Sequence, residues 1–129
     1  MELRVRSDQQ ISEYIPSRGV PLNHLLVTAT TSGTAQTLYT VRAEVNLKVM
    51  ALTVVNTTGA AATLTVHSIP SGGGIGAGNT EISAMSIAAN TAVDLTKLVM
   101  GYYAPGTTIK VYSGTNGSLV VHGWAEEIL

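Results

Sequence analysis

An all-β fold, an antiparallel two-sheet β-sandwich of jelly-roll-like plan with an extended N-terminal arm, is what this sequence predicts. Three observations carry that expectation. β-Branched and small side chains dominate, with 14 Val, 8 Ile, 17 Thr and 14 Ala against no Phe and a single Trp, and such residues pack well on a pleated, half-buried surface. Apolar or β-branched runs recur at short, fairly even intervals, divided by Gly, Pro and Asn turn chemistry. Charge is unevenly placed: the first 18 residues hold six of the fifteen charged side chains, whereas the 32 residues from Val49 to Thr80 hold none.

At 129 residues the chain is one domain's worth, long enough to bury a core of its own. Residues 1–24 read as the arm. There Leu3-Arg4-Val5-Arg6 alternates charged and apolar side chains, and the segment then passes through Pro16, Gly19 and Pro21, with room for one short strand or helical turn. Its apolar anchors are Leu3, Val5, Ile11, Tyr14 and Ile15. Residues 25–129 form the sandwich, with candidate strands at 25–31, 36–41, 46–56, 62–69, 82–88, 92–95, 108–113 and 118–125. Breaks fall at Ser32-Gly33, Thr58-Gly59, the Pro70–Gly78 loop, Asn90, Pro105-Gly106 and Asn116-Gly117. In Ile109-Lys110-Val111-Tyr112 the apolar pair falls on one strand face and Lys110 with Tyr112 on the other. Asn116-Gly117 predicts a tight hairpin joining that strand to Leu119–His122. Thr96–Met100 has helical character but is too short to stand alone.

Composition also excludes classes of function. Net charge is −1 with no Lys or Arg run, so no field draws in nucleic acid or anionic lipid. Cysteine is absent, removing disulfides and thiolate metal sites. The start lacks the apolar core of a signal peptide, which implies synthesis in the cytoplasm. The uncharged stretch is interrupted by Asn56, Gly59, Pro70 and Gly72–Gly74 too often to span a membrane. Gly72-Gly73-Gly74-Ile75-Gly76-Ala77-Gly78 resembles a dinucleotide fingerprint only superficially, because no helix is expected after it to hold a pyrophosphate. It reads as a flexible inter-strand loop.

Candidate chemistry is sparse. His24, His67 and His122 show no metal-ligand spacing, and Asp8 and Asp94 are the only Asp residues available to a hydrolytic triad that lacks a nucleophile elbow. Glu126 and Glu127, being adjacent, point to opposite faces of a strand. No catalytic residue, cofactor or metal is assigned, and an enzyme is not expected. Asn56-Thr57-Thr58 and Asn116-Gly117-Ser118 match the glycosylation sequon but read more simply as turn residues. Trp124, Tyr102 and Tyr103 read either as plugs of a small-residue core or interface, the favoured reading, or as a sugar-stacking platform.

Leu38-Tyr39-Thr40-Val41, the run Leu52–Val66, Ile87-Ala88-Ala89-Asn90-Thr91 and Ala104–Val111 together resemble small β-sandwich virion proteins of tailed bacteriophages, found as capsid cement or decoration proteins and in tails and fibres. The resemblance spans roughly residues 36–128. It departs at Arg42-Ala43-Glu44, where Pro and Gly are frequent, and at Thr107, where Asp is common. It implies a structural protein of the particle, located in the virion. The first expectation is a capsid cement or decoration protein bridging major capsid subunits, with copies of itself and the major capsid protein as partners and neither nucleic acid nor membrane involved. A neck, tail or fibre component stands second and a carbohydrate-binding module third. On this reading the arm orders on the shell, and the charge-free stretch is a surface made to meet other protein.

Overall fold

The computed structural model describes residues 17–129. Ten strands make up the described chain: β1 (Ser17–Pro21), β2 (Leu25–Val27), β3 (Gln36–Thr40), β4 (Asn46–Asn56), β5 (Ala62–Ile69), β6 (Thr80–Ile87), β7 (Thr91–Asp94), β8 (Tyr102–Tyr103), β9 (Thr108–Ser113) and β10 (Leu119–Ile128). They form two antiparallel sheets. Sheet A runs β1-β10-β4-β7, with β2 also on β10 and β8 also on β4; sheet B runs β3-β9-β5-β6.

The plan is that of a jelly roll. β1 and β2 lie along successive stretches of β10, and β7 and β8 along successive stretches of β4, so each pair fills one strand position. Eight positions result, and the first pairs with the eighth, the second with the seventh, the third with the sixth and the fourth with the fifth, as in one long hairpin. Two further pairings, β10 with β4 and β9 with β5, arise when that hairpin rolls over on itself. Rolling leaves two sheets whose inner faces share one core.

Period-2 alternation supplies that core. β9 alternates buried Ile109, Val111 and Ser113 with half-buried Thr108, Lys110 and Tyr112, as its sequence pattern predicts. β4 contributes Leu47, Val49, Leu52 and Val54, and β10 contributes Leu119, Val121 and Ala125, all essentially buried. In β4 the inward phase shifts between Val49 and Leu52, because a bulge there sets Trp124 opposite Ala51 but Ala125 opposite Val49. The bulge presses the β4 backbone against Gly123 of β10. A Cβ at Gly123 would collide with the Ala51 carbonyl oxygen and sit 3.0 Å from Leu52 Cα, so only glycine fits.

Three expectations need correction. The Asn116-Gly117 turn does not close a hairpin, because β9 belongs to sheet B and β10 to sheet A. It forms an arch between sheets, in which the Gly114 N–H donates to Thr63 O (3.2 Å) and the Gly117 N–H to Val27 O (2.9 Å). Gly117 has φ +77° but Asn116 does not adopt positive φ, so the two-residue turn that demands positive φ at both positions is not made. Next, the sheet begins before residue 25: Ser17–Pro21 pairs with Trp124–Ile128, which places the described part of the expected arm inside the sandwich. Without β1, one flank of β10 would keep unpaired backbone groups at the edge of sheet A. Residues 1–16, with Leu3, Val5, Ile11, Tyr14 and Ile15, lie outside the described residues.

The third correction concerns the charge-free stretch. It spans β5 and most of β4, which are inner strands of their sheets, and β5 is buried even on its outer side at Thr65 and His67. Its lack of charge is mainly the signature of a core. Where β6 bulges, the Thr65 hydroxyl accepts the Ala84 N–H at 3.0 Å, so a polar β-branched residue suits this buried position. Asn56, 1% exposed, is satisfied in full: Nδ2 donates to Ala60 O (2.8 Å) and Ile87 O (3.0 Å). Its Oδ1 accepts from the Thr58 N–H (3.0 Å) and hydroxyl (2.8 Å). The amide pins the end of β4 in sheet A to the end of β6 in sheet B, and its first sequon match is a buried turn lock, as the turn reading requires.

Candidate interaction surface

The outer face of sheet A carries the feature that stands out. Of the exposed large apolar side chains, Leu26 (48%), Trp124 (45%) and Tyr102 (50%) all sit on it. Register explains why. Leu26, Val120, Val55 and Ala92 fall in one cross-strand row over β2, β10, β4 and β7. Below it His122 aligns with Thr53 and Asp94, then Trp124 with Pro21 and Ala51, and then Glu126 with Lys48 and Tyr102. The Trp124 ring lies over Gly19, at a distance where a Cβ would make ordinary contact with the ring, 3.8 Å. His24, between β1 and β2, stacks on His122 with ring centroids 5.2 Å apart and planes 6° from parallel.

Tyr102 and Tyr103 part company. Tyr103 is 1% exposed, and its hydroxyl donates to Glu81 Oε1 at 2.9 Å, which also accepts the Met100 N–H at 2.6 Å. Burial pushes the Tyr103 hydroxyl well above its ordinary pKa. It ties β8 to β6 and belongs to the core, so a platform of Trp124, Tyr102 and Tyr103 is reduced to its first two rings.

The histidines do not converge as a trio. His24 and His122 meet on sheet A, while His67, 4% exposed, lies on sheet B stacked on Tyr112 at 5.9 Å. Its Nδ1 is 3.1 Å from Asn79 Oδ1 and 3.2 Å from Thr80 Oγ1. Among the described residues no group of three His, Asp or Glu could hold a metal ion. Asn79 in turn fastens the glycine loop, donating to Gly74 O at 2.8 Å and accepting the Gly76 N–H at 3.2 Å. The loop is therefore anchored to β5 rather than free, and it leads through a short 3₁₀ turn, Ala77–Asn79, straight into β6.

At one end of the sandwich an ion-pair cluster joins both sheets. Glu126 and Glu127 do face opposite ways, and Glu127 points inward at 3% exposure. Arg18 of β1 donates through Nε to Glu127 Oε1 at 3.1 Å, Arg42 through Nη2 at 3.0 Å, and the Tyr39 hydroxyl donates to Oε2 at 3.3 Å. Hydrogen bonding from Arg42 holds the Glu127 carboxyl below the usual carboxylate range, while burial raises the Tyr39 hydroxyl. Ser17, Arg18, Arg42, Glu127 and Leu129 wall a pocket of about 240 Å³ beside it. With two guanidinium groups on one carboxylate the cluster carries a net charge of +1, and it clamps β1, β3 and β10 together. The clamp was missed in the sequence, although an acid on the inward phase of an otherwise apolar strand calls for a cationic partner.

Glu127→Gln is expected to lower stability by about 2 kcal/mol at neutral pH, the loss of charge-assisted hydrogen bonds. Because the folded carboxyl titrates low, its contribution is present above the unfolded-state carboxylate value and fades as pH falls through the folded one. The gap between wild type and variant in urea unfolding should therefore close on acidification. A constant gap down to pH about 3, below the ordinary Glu value, would remove the ion pair as its cause.

No protein-family model matches the sequence, and no curated protein matches it. Two solved structures resemble the chain. One is the T13 viral particle of infectious bursal disease virus, at 12% identity and TM-score 0.43, over 87% of this chain and 30% of that one. The other is that virus's VP2 subviral particle, at 13% identity and TM-score 0.42, over 89% of this chain and 33% of that one. The chain thus spans about a third of the length of each.

Proposed function

We propose that this chain is a structural protein of a bacteriophage particle that cements or decorates the head by bridging major capsid subunits. The observation that carries the proposal is the combination of a jelly-roll sandwich with an outer face on sheet A that exposes Leu26, Trp124 and Tyr102 among a few charges, Lys48, Glu126 and Asp94. Jelly rolls recur in capsid and lectin domains, and a large exposed apolar patch marks a surface that meets another molecule. The sequence resemblance to phage virion proteins points the same way. In this role residues 1–16 bind the shell through Leu3, Val5, Ile11, Tyr14 and Ile15, and the sandwich does no chemistry.

Mass spectrometry of purified particles tests the reading. High copy number is expected, whereas a few copies per particle would move the protein to the neck or a fibre, and no copies would overturn a virion role. Deleting residues 1–16 removes none of the described strands. That truncated protein is expected to fold as before and to lose capsid binding, and undiminished binding would sink the role of the arm.

A carbohydrate-binding module is the second reading, favoured by Trp124 and Tyr102 exposed on one face with Lys48 and Glu126 between them. Saturable glycan-array binding lost in Trp124→Ala would support it.

A further inference from the structure

We infer that the outer face of sheet A is a homodimer interface, on which a second copy of this chain packs face to face about a two-fold axis. Size is the first argument. Ten residues of β10, at about 3.3 Å each, and four strand positions about 4.8 Å apart give a face of roughly 600 Å². Two copies then bury about 1,200 Å², the lower bound for stable, specific interfaces. Sheet B offers no such face, since among the described residues the large apolar side chains that are exposed on a sheet face belong to sheet A.

Charge is the second argument. A two-fold interface sets one patch against itself, so it must be self-complementary. This face carries Lys48 and Glu126 at one level, and among the described residues no ion pair joins them. A two-fold rotation can set each against its opposite in the partner copy, twice over, with no like charges opposed. The remaining acid, Asp94, is already engaged by the Thr96 hydroxyl and N–H (2.5 and 2.9 Å). Trp124 lies one level inward of Lys48 and Glu126, and the row Leu26, Val120 and Val55 lies beyond the Asp94 level, so the face supplies an aromatic anchor and branched aliphatics, side chains of the kind found at interface centres.

Dimerisation rests on the same face that supports the virion role, but its test is separate. It is read in purified protein, so either idea can fail without the other. Sedimentation equilibrium of the full chain is expected to show a reversible dimer that Trp124→Glu weakens about 100-fold or more, the scale of a central aromatic anchor. Ser86→Glu, at an exposed position of β6 in sheet B, should leave the dimer unchanged. Thermal unfolding reads the fold of each variant separately; should Trp124→Glu not fold, Leu26→Glu takes its place. A wild-type chain that stays monomeric at about 100 μM, a dimer untouched by both sheet A variants, or a dimer lost with Ser86→Glu would overturn the inference. So would a monomer that binds glycans through Trp124.

Discussion

Gly123→Ala is expected to lower the stability of this protein by at least about 3 kcal/mol, seen as a fall of roughly 10 °C or more in Tm. The added methyl group would lie well inside van der Waals contact distance of the Ala51 carbonyl oxygen and 3.0 Å from the Ala51 carbonyl carbon. Both are backbone atoms, so no rotamer change relieves the clash. Relief requires the β4 bulge to flatten, and flattening would slip the register that sets Ala125 opposite Val49. A one-residue slip turns Leu47 and Val49 outward, so the protein must carry the strain or rebuild half of sheet A. Circular-dichroism melting decides it. A variant that melts within a degree or two of wild type would show that the bulge is soft.

Asn56→Asp is the second large effect. The amide nitrogen that donates to Ala60 O and Ile87 O becomes an oxygen facing two carbonyl oxygens, and the buried carboxylate has no cation among its described partners. About 3–5 kcal/mol is expected to be lost at neutral pH. The sign of the pH dependence follows. Burial against acceptors raises the folded pKa of the new acid, so the penalty grows as pH rises above the unfolded value of about 4 and shrinks below it, where the protonated group donates to one carbonyl. Urea titrations at several pH values would show the variant closest to wild type in acid. The opposite trend would mean that Asn56 does not hold the β4 and β6 ends together through its donors.

The same two residues mark where sequence reading stopped. Gly123 sits in a run of strand formers, and mid-strand glycine is a recognised sign of close backbone approach. The shift from Leu47 and Val49 to Leu52 and Val54 marks the bulge that approaches it. Both signals are local and legible. Asn56 is different: as an Asn before Thr-Thr-Gly it reads as a turn, and only the return of Ile87 from another sheet makes it a buried lock. Arg18, Tyr39 and Arg42 likewise gain meaning only when β10 brings Glu127 between them.

Local chemistry determined the strands. Alternation and turn residues placed the cores of β3, β4, β5, β6, β7, β9 and β10 close to their observed bounds, because period 2 and positive-φ turns are properties of neighbouring residues. Partnership was decided by tertiary structure. Asn116-Gly117 fits a hairpin as well as an arch, and the arch is made because β9 takes its partners from β3 and β5 in one sheet while β10 takes its own from β1, β2 and β4 in the other. β1 and β8, too short or too polar to announce themselves, exist because β10 and β4 offer open edges. The face of sheet A was assembled the same way: Leu26, Trp124 and Tyr102 are scattered across the sequence, and they form one surface only because three strands in register carry them there.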